Sequence, residues 1–258
     1  MNTVKPINFL TNYGDLMSAD QIQNSDANDD DDRPATEAVL RHIARYRLLT
    51  FATMAQMPEF NGWSPLHLRR LLRDCRATGL LSSATLHSGM RYWFLTPDGA
   101  ARCGLEKSRS GPLSEPAKLR AYAMLMFCCG ANRPKYRLAA NELKELLPSL
   151  HRNGMPGTYY FDPAGIGTLG LARIDAGHHG RWDRVIQSVK DDIAQHTQKQ
   201  GFQQFIAAHR FEITVITVLP AKAERTARVL NSLPEMRLVP LHVVAQPELL
   251  PLIGSIAL

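Results

Sequence analysis

The chain has 258 residues, of which 45% are hydrophobic and 21% are charged, and its formal net charge at pH 7 is +6. This composition is that of a globular protein with room for one large domain or two modest ones. No apolar run approaches the roughly 18 residues of a transmembrane helix, and the start MNTVKPINFL lacks the layout of a signal peptide. These features exclude a membrane-spanning protein and predict a cytoplasmic one.

The charge is divided unevenly along the chain. Residues 1–32 hold seven Asp and one Lys, which is −6, so residues 33–258 carry +12. A basic body of this kind favours a polyanionic partner. The acidic arm, residues 1–32, ends in Asp29-Asp30-Asp31-Asp32 and is too poor in apolar residues to fold alone. We expect a disordered, solvated tail; the alternative is an intramolecular mimic of DNA that competes for the basic surface.

The cysteines point to neither zinc nor disulfides. The chain has four, at Cys75, Cys103, Cys128 and Cys129, and none of them belongs to a CxxC pair. Cys128 and Cys129 are adjacent within the apolar stretch YAMLMFCC. We therefore expect reduced and buried thiols.

The first folded block, residues 33–105, begins with helical patterns. Pro34 lies where a helix can start. The apolar residues that follow at near-helical spacing are Val39, Leu40, Ile43, Tyr46 and Leu48. A short second helix is predicted around Thr50–Met57, and it ends at Pro58.

The third helix, Pro65–Thr78, carries the strongest pattern of the chain. Ser64 is a good N-cap, Pro65 suits the first helical position, and Gly79 suits termination. The inward face is predicted to hold Leu68, Leu71, Leu72 and Cys75. The outward face is predicted to hold Arg69, Arg70, Arg73 and Arg76.

A β-hairpin is predicted after this helix. Leu80–Ser83 and Arg91–Leu95 read as its strands, and a polar tip surrounds His87-Ser88-Gly89. Thr96-Pro97 then starts one more helix, which ends near Gly104. The order of two helices, a basic helix and a hairpin predicts a winged helix-turn-helix.

Such a module suits double-stranded DNA. A helix that buries one face can lay the other in the major groove, where arginines contact phosphates or guanine. His67 and Arg70 are the best candidates for base contact, whereas Arg73, Arg76 and Arg91 suit backbone contact. The full predicted set of DNA-binding residues is Ser64, His67, Arg69, Arg70, Arg73, Arg76, His87 and Arg91.

Two further blocks follow. The connector, residues 106–153, contains the linker SRSGPLSEP and an apolar helix, Pro116–Cys129, which we expect to pack within the chain rather than across a dimer. Residues 154–258 alternate strand-like and helix-like patterns, which predicts an α/β layer structure. Strands are predicted at 158–161, 168–175, 211–219 and 238–244, and helices at 182–199, 202–208 and 220–233. The strand at 211–219 is continuously β-rich, as in strands buried on both faces.

From about residue 35 to 250, this order resembles the replication-relaxation family of plasmids and other mobile elements. The motifs that carry the resemblance are MPGTYYF, RIDAGHH and ITVLPAKAERTARVL. The resemblance implies a role in the maintenance, replication or transfer of mobile DNA. It also implies that the second domain has a restriction-endonuclease-like fold, so that the whole chain is of the α+β or α/β class.

The resemblance fails where that fold binds metal. Family members often show Pro-Asp at one place and an acid two residues before the Asp-x-Gly. Here Gly157 follows Pro156, and Arg173 stands two residues before Asp175. Because a guanidinium repels a divalent cation, we expect a non-catalytic domain with no metal or cofactor.

Three interpretations remain open. The first is a sequence-specific DNA-binding protein, either a transcriptional regulator or a replication or transfer accessory factor. We expect it to be a homodimer that reads two half-sites and to have other mobile-element proteins as possible partners. The second is a metal-dependent nuclease that uses Asp162 and Asp175; a wider cluster would add His178, His179 and Asp183. The third is a protein-interaction adaptor that does not bind DNA.

Overall fold

The computed structural model describes residues 32–87, 89–130, 135–139, 142–144, 148, 157–164, 167–175 and 182–254. They form a mixed α+β structure with two sheets. One is a two-stranded antiparallel sheet, and the other has five strands of mixed direction. The acidic arm up to residue 31 lies outside the described residues, as do Ser88 and His178-His179.

The amino-terminal half follows the predicted order of elements. They are α1 (Asp32–Tyr46), α2 (Phe51–Met54), α3 (Pro65–Ala77), β1 (Leu81–His87), β2 (Met90–Leu95) and α4 (Pro97–Arg102). The second helix is shorter than predicted: it begins after Thr50, its N-cap, which forms a capping box with Thr53, and it ends at Met54 with Ala55 as its C-cap. A 3₁₀ turn, Pro58–Phe60, then leads towards α3.

One apolar core joins these elements. The predicted inward face of α3 is buried against Val39, Leu40 and Ile43 of α1. Leu49 also pairs with Trp93 of β2, with reciprocal N–H···O distances of 3.1 and 2.9 Å. This bridge ties the hairpin to the segment between α1 and α2.

The five-stranded sheet begins earlier than residue 154. Its strands are β3 (Tyr136–Arg137), β4 (Tyr159–Asp162), β5 (Thr168–Ile174), β6 (Phe211–Thr217) and β7 (Leu241–Ala245), in that spatial order. Strands β3, β4 and β5 are antiparallel, whereas β5, β6 and β7 are parallel. Strand β6 is almost entirely buried, as its apolar run predicts. Strand β3 falls inside the predicted connector, and β7 begins after Leu238 because that residue ends a 3₁₀ turn, Pro234–Leu238.

Helices cover both faces of this sheet. The remaining helices are α5 (Glu115–Cys129), α6 (Trp182–Thr197), α7 (Gln200–Ala207), α8 (Pro220–Ser232) and α9 (Leu250–Gly254). Residues of α6, α7 and α8 share one core with Phe211, Ile213 and Val215 of β6. On the other face, α5 packs between the sheet and the hairpin, where Tyr92 and Ile216 join the same cluster. The expectation that the apolar helix packs within the chain is confirmed.

The four cysteines are free thiols, and the predicted burial holds for two of them. Cys75 and Cys128 are buried, whereas Cys103 and Cys129 are partly buried. Burial raises the pKa of all four thiols, and that of Cys129 reaches about 11. Within the described ranges, no helix is both long and apolar enough to cross a membrane.

Candidate nucleic-acid interface

Local sequence fixes both ends of α3. The Ser64 hydroxyl accepts a hydrogen bond from the backbone N–H of His67 at 3.2 Å, and Pro65 follows at the first helical position. At the other end, Gly79 adopts φ 75°, a conformation that glycine takes without steric cost. The helix therefore starts and stops within one residue of its predicted bounds. The oxygen of Ser64 is occupied as a cap.

The outward face of α3 is a basic surface. Arg69, Arg70, Arg73 and Arg76 are all exposed. Arg70 lies 3.7 Å from the Asp74 carboxylate one turn on, and the Arg69 guanidinium lies 5.2 Å from the centre of the Phe51 ring. Neither Arg73 nor Arg76 forms an ion pair within the described part of the chain. An exposed ion pair such as Arg70–Asp74 is weak, so a phosphate or a base can displace the carboxylate.

His67 is less open than the sequence suggests. Its ring stacks on Trp63 with centroids 4.0 Å apart and planes 12° apart, and Trp63 in turn meets Phe60 edge-on. The His67 Nε2 atom also lies 3.5 Å from the Asp32 carboxylate at the start of α1. These contacts hold the entry to α3 in place, and they leave Arg70 as the more accessible candidate for base contact.

Leu66 is an exposed residue that the sequence reading missed. Its exposed fraction is 73%, the highest of any large apolar side chain in the described part of the chain. Arg69, Arg70 and Arg73 follow it by three, four and seven residues, which puts all four on one helical face. The sequence could have predicted this exposure, because Leu66 does not share the helical spacing of the buried leucines of α3.

The hairpin adds two of the predicted contact residues. Arg91 is exposed on β2, where it pairs with Thr85. His87 ends β1, is partly buried, and lies beside a register shift between Thr85 and His87. Gly89, with φ 76°, completes the reversal of the chain. Arg91 is thus the more accessible of the two for a DNA backbone.

The sheet keeps Asp162 and Asp175 apart. Asp162 pairs with Thr168 at the start of β5, whereas Asp175 follows the end of that strand. Asp175 is seven residues after Thr168 along the strand, which is roughly 23 Å. Asp162 forms a salt bridge with Lys135, and Asp175 lies 2.7 Å from the Lys222 ammonium. One divalent cation cannot contact both carboxylates.

Arg173 is neutralised by a neighbouring helix. Both carboxylate oxygens of Asp192, on α6, accept from its guanidinium, and Asp192 is buried. The hydrogen bonds to Asp192 raise the pKa of Arg173 despite its burial. Asp183 is exposed on α6. Across the described ranges, no three His, Cys, Asp or Glu side chains are grouped to hold a metal ion.

A charged cluster that the sequence did not predict crosses the same sheet. Lys135 pairs with Asp162 and lies 3.7 Å from Glu212, whose other oxygen lies 3.3 Å from His242 Nε2. The Tyr160 hydroxyl donates to Glu212 at 2.5 Å. Burial alone would raise the pKa of Glu212, but bonds from His242 and Tyr160 and the Lys135 charge outweigh it and lower that pKa. The Lys135 ammonium thus lies between the carboxylates of Asp162 and Glu212. The sequence contained one sign of this cluster, because Glu212 is the only charged residue in the β-rich strand Phe211–Thr217.

Comparison of the chain with protein-family models, with curated proteins and with solved structures finds no match.

Proposed function

We propose that the chain is a sequence-specific DNA-binding protein in which residues 33–105 form a winged-helix module. The observation that carries this proposal is the division of α3 into a buried apolar face and an exposed face with four arginines. Its packing on α1 and on the hairpin holds the helix rigidly, so the arginines keep their mutual spacing. A rigid, basic, exposed helix fits the major groove.

Within this proposal the residues of α3 have different roles. Arg70, near the start of the helix, contacts guanine through its two parallel N–H donors. Arg73 and Arg76 contact phosphates, and Arg91 reaches the backbone from the hairpin. Leu66 packs against a thymine methyl group, the one apolar feature of the major-groove edge.

The α/β part has a supporting role in this proposal. We infer a restriction-endonuclease-like domain that does not cleave DNA, acts as a homodimer and positions two winged helices on two half-sites. The separation of Asp162 from Asp175 and the pairing of Arg173 with Asp192 support the absence of cleavage. The resemblance of the sequence to the replication-relaxation family suggests that the DNA belongs to a mobile element.

Salt-dependent binding tests the proposal. Each phosphate contact contributes about 0.9 to the slope of log K against log salt, or roughly 3.5-fold in affinity between about 50 and 200 mM. With a labelled duplex of mixed sequence, fluorescence anisotropy should show that Arg73→Ala and Arg76→Ala each lower the slope by about 0.9. The matched control is Arg228→Ala, which removes an exposed arginine from α8. Equal slopes in all four proteins would contradict the role of α3, and no binding by the wild type would reject the function.

A further inference from the structure

Three arginines meet at the carboxyl-terminal end of α1 with no carboxylate partner among the described residues. They are Arg47, just after α1, Arg109, in the 3₁₀ turn Lys107–Arg109, and Arg137, in β3. All three are partly buried. In the described part of the chain, no salt bridge joins any of them to an acidic side chain. This set is called the arginine cluster below.

Backbone carbonyls hold two of the three side chains in place. Arg137 donates from Nη1 to the carbonyl of Tyr46 at 3.1 Å and from Nε to that of Gly157 at 3.0 Å. Arg109 donates from Nη2 to the carbonyl of Ala44 at 3.3 Å. These bonds use only a few of the N–H donors in the arginine cluster, because each guanidinium carries five. The other donors form no hydrogen bond to the described residues. The Arg47 side chain forms no hydrogen bond to the described residues.

The positive charges of the arginine cluster repel one another. Burial and the neighbouring charges of Arg109 and Arg47 lower the pKa of Arg137 to about 10. Burial likewise lowers the pKa of Arg109, and burial and the Arg109 charge lower that of Arg47. All three remain protonated at neutral pH. The end of α1 offsets only about half an elementary charge.

The titratable groups that the structure describes near the cluster do not supply the missing negative charge. Burial raises the pKa of Tyr46 and of Cys128, so both are neutral at neutral pH. Arg45, the next cation along α1, is paired with Glu142. Partly burying a cation without an anion costs folding free energy. Proteins hold such cations in a fixed arrangement at sites where an anion binds.

We propose that the arginine cluster binds a phosphate group. Planar guanidinium groups match phosphate oxygens with pairs of parallel N–H donors, and a multiply charged phosphate neutralises three cations better than one carboxylate does. The site is separate from the entry to α3. Asp32, which lies beside His67, is fifteen residues before Arg47, or roughly 22 Å along α1.

Inorganic pyrophosphate is a suitable probe, with sodium chloride of equal ionic strength as the reference. The melting temperature of the full chain should rise with millimolar pyrophosphate, and calorimetry should give a saturable isotherm. Arg47→Gln should weaken binding about tenfold or more, because it removes charge-assisted hydrogen bonds. Arg109→Gln should act in the same direction, and the control Arg228→Gln should bind as the wild type does.

The melting temperature without pyrophosphate separates a ligand-binding role from a structural one. Arg47→Gln should keep or raise it, since the substitution relieves repulsion and removes no hydrogen bond to the described residues. The proposal would be overturned if pyrophosphate stabilised the wild type no more than sodium chloride did. It would also be overturned if Arg47→Gln lowered the melting temperature and retained the full pyrophosphate effect.

A second arm identifies the source of the phosphate. If the DNA backbone supplies it, Arg47→Gln should weaken DNA binding and lower the salt slope by about 0.9, and pyrophosphate should compete with DNA. If a free phosphorylated small molecule supplies it, Arg47→Gln should leave DNA affinity unchanged. The pyrophosphate arm requires no DNA, so its failure and the failure of the proposed function are distinguishable.

Discussion

A single methyl group added at Gly170 should be among the most destabilising small changes in the sheet. Gly170 on β5 pairs with Tyr160 on β4, and a Cβ atom at Gly170 would overlap the Tyr160 ring at Cζ, Cε1 and Cε2. The ring is fully buried, and its hydroxyl bonds Glu212 at 2.5 Å and Thr214 at 2.7 Å. Phe127 of α5 packs edge-on against it, 4.9 Å between centroids. The ring therefore has no free direction in which to move.

The expected cost of Gly170→Ala follows from these contacts. Overpacking a core costs about 1–3 kcal/mol, and disturbing the buried hydroxyl bonds of Tyr160 costs about 1–3 kcal/mol more. We expect the free energy of unfolding to fall by about 2–6 kcal/mol, measured by urea denaturation. In a protein of this size, the melting temperature falls by roughly 2–4 °C per kcal/mol. Gly157→Ala is the control, since its methyl would lie an ordinary 3.5 Å from Arg137 Nη2.

A double-mutant cycle with Tyr160→Ala tests the cause. Without the ring, Gly170→Ala should be neutral or stabilising by about 0.5–1 kcal/mol, because alanine loses less backbone entropy than glycine in a strand. Gly170→Ala should therefore destabilise the protein when Tyr160 is present and should be neutral or stabilising when Tyr160 is replaced by alanine. An equal loss of stability in both backgrounds would refute the packing argument.

Three further predictions concern charge and recognition. Asp192→Asn should lower the free energy of unfolding by about 2–4 kcal/mol in urea denaturation, because it removes the hydrogen-bonded carboxylate of the partly buried Arg173; an unchanged midpoint would show that the pair is dispensable. The Glu212 hydrogen bond raises the pKa of His242, so its contribution to stability is complete below the ordinary histidine pKa and is lost as the pH rises through the raised value. An NMR titration should show this raised pKa, and Glu212→Gln should return it to the ordinary range; no change in that variant would assign the shift elsewhere. Leu66→Ala should abolish the loss of affinity that follows replacement of a contacted thymine by uracil, and a retained loss would exclude Leu66 from that contact.

Sequence alone predicts the elements whose signals are local. The bounds of α3 follow from Ser64, Pro65 and Gly79, and its buried face follows from the spacing of its leucines. The apolar run of β6 likewise predicts a central strand. These features depend on residues that are close along the chain, so a pattern of a few residues is enough to predict them.

The features that the sequence did not reveal depend on residues distant along the chain. Strand β3 has two residues, too few for any periodicity, and exists only because β4 pairs with it. Lys135, Asp162, Glu212 and His242 meet only when the sheet forms. His67 is less exposed than predicted because Trp63 stacks on its ring and Asp32, at the start of α1, lies beside it.

The separation of Asp162 from Asp175 could have been predicted from the sequence. The connection between the predicted strands at 158–161 and 168–175 is too short for the crossover that parallel strands need, so these two strands had to be antiparallel. The antiparallel pairing of β4 with β5 puts one aspartate at each end of β5. The predicted order of strand, turn and strand therefore already argued against a metal site at this pair.

Selection of DNA from a random library by the purified full chain tests most directly whether α3 reads sequence. We expect the wild type to enrich one motif, arranged as two half-sites if the protein is a two-fold dimer. Arg70→Ala should relax the preference at a guanine of that motif, whereas Arg76→Ala should weaken binding to all sequences alike. Enrichment of no motif, or an Arg70→Ala protein that selects the unchanged motif with unchanged affinity, would contradict the account.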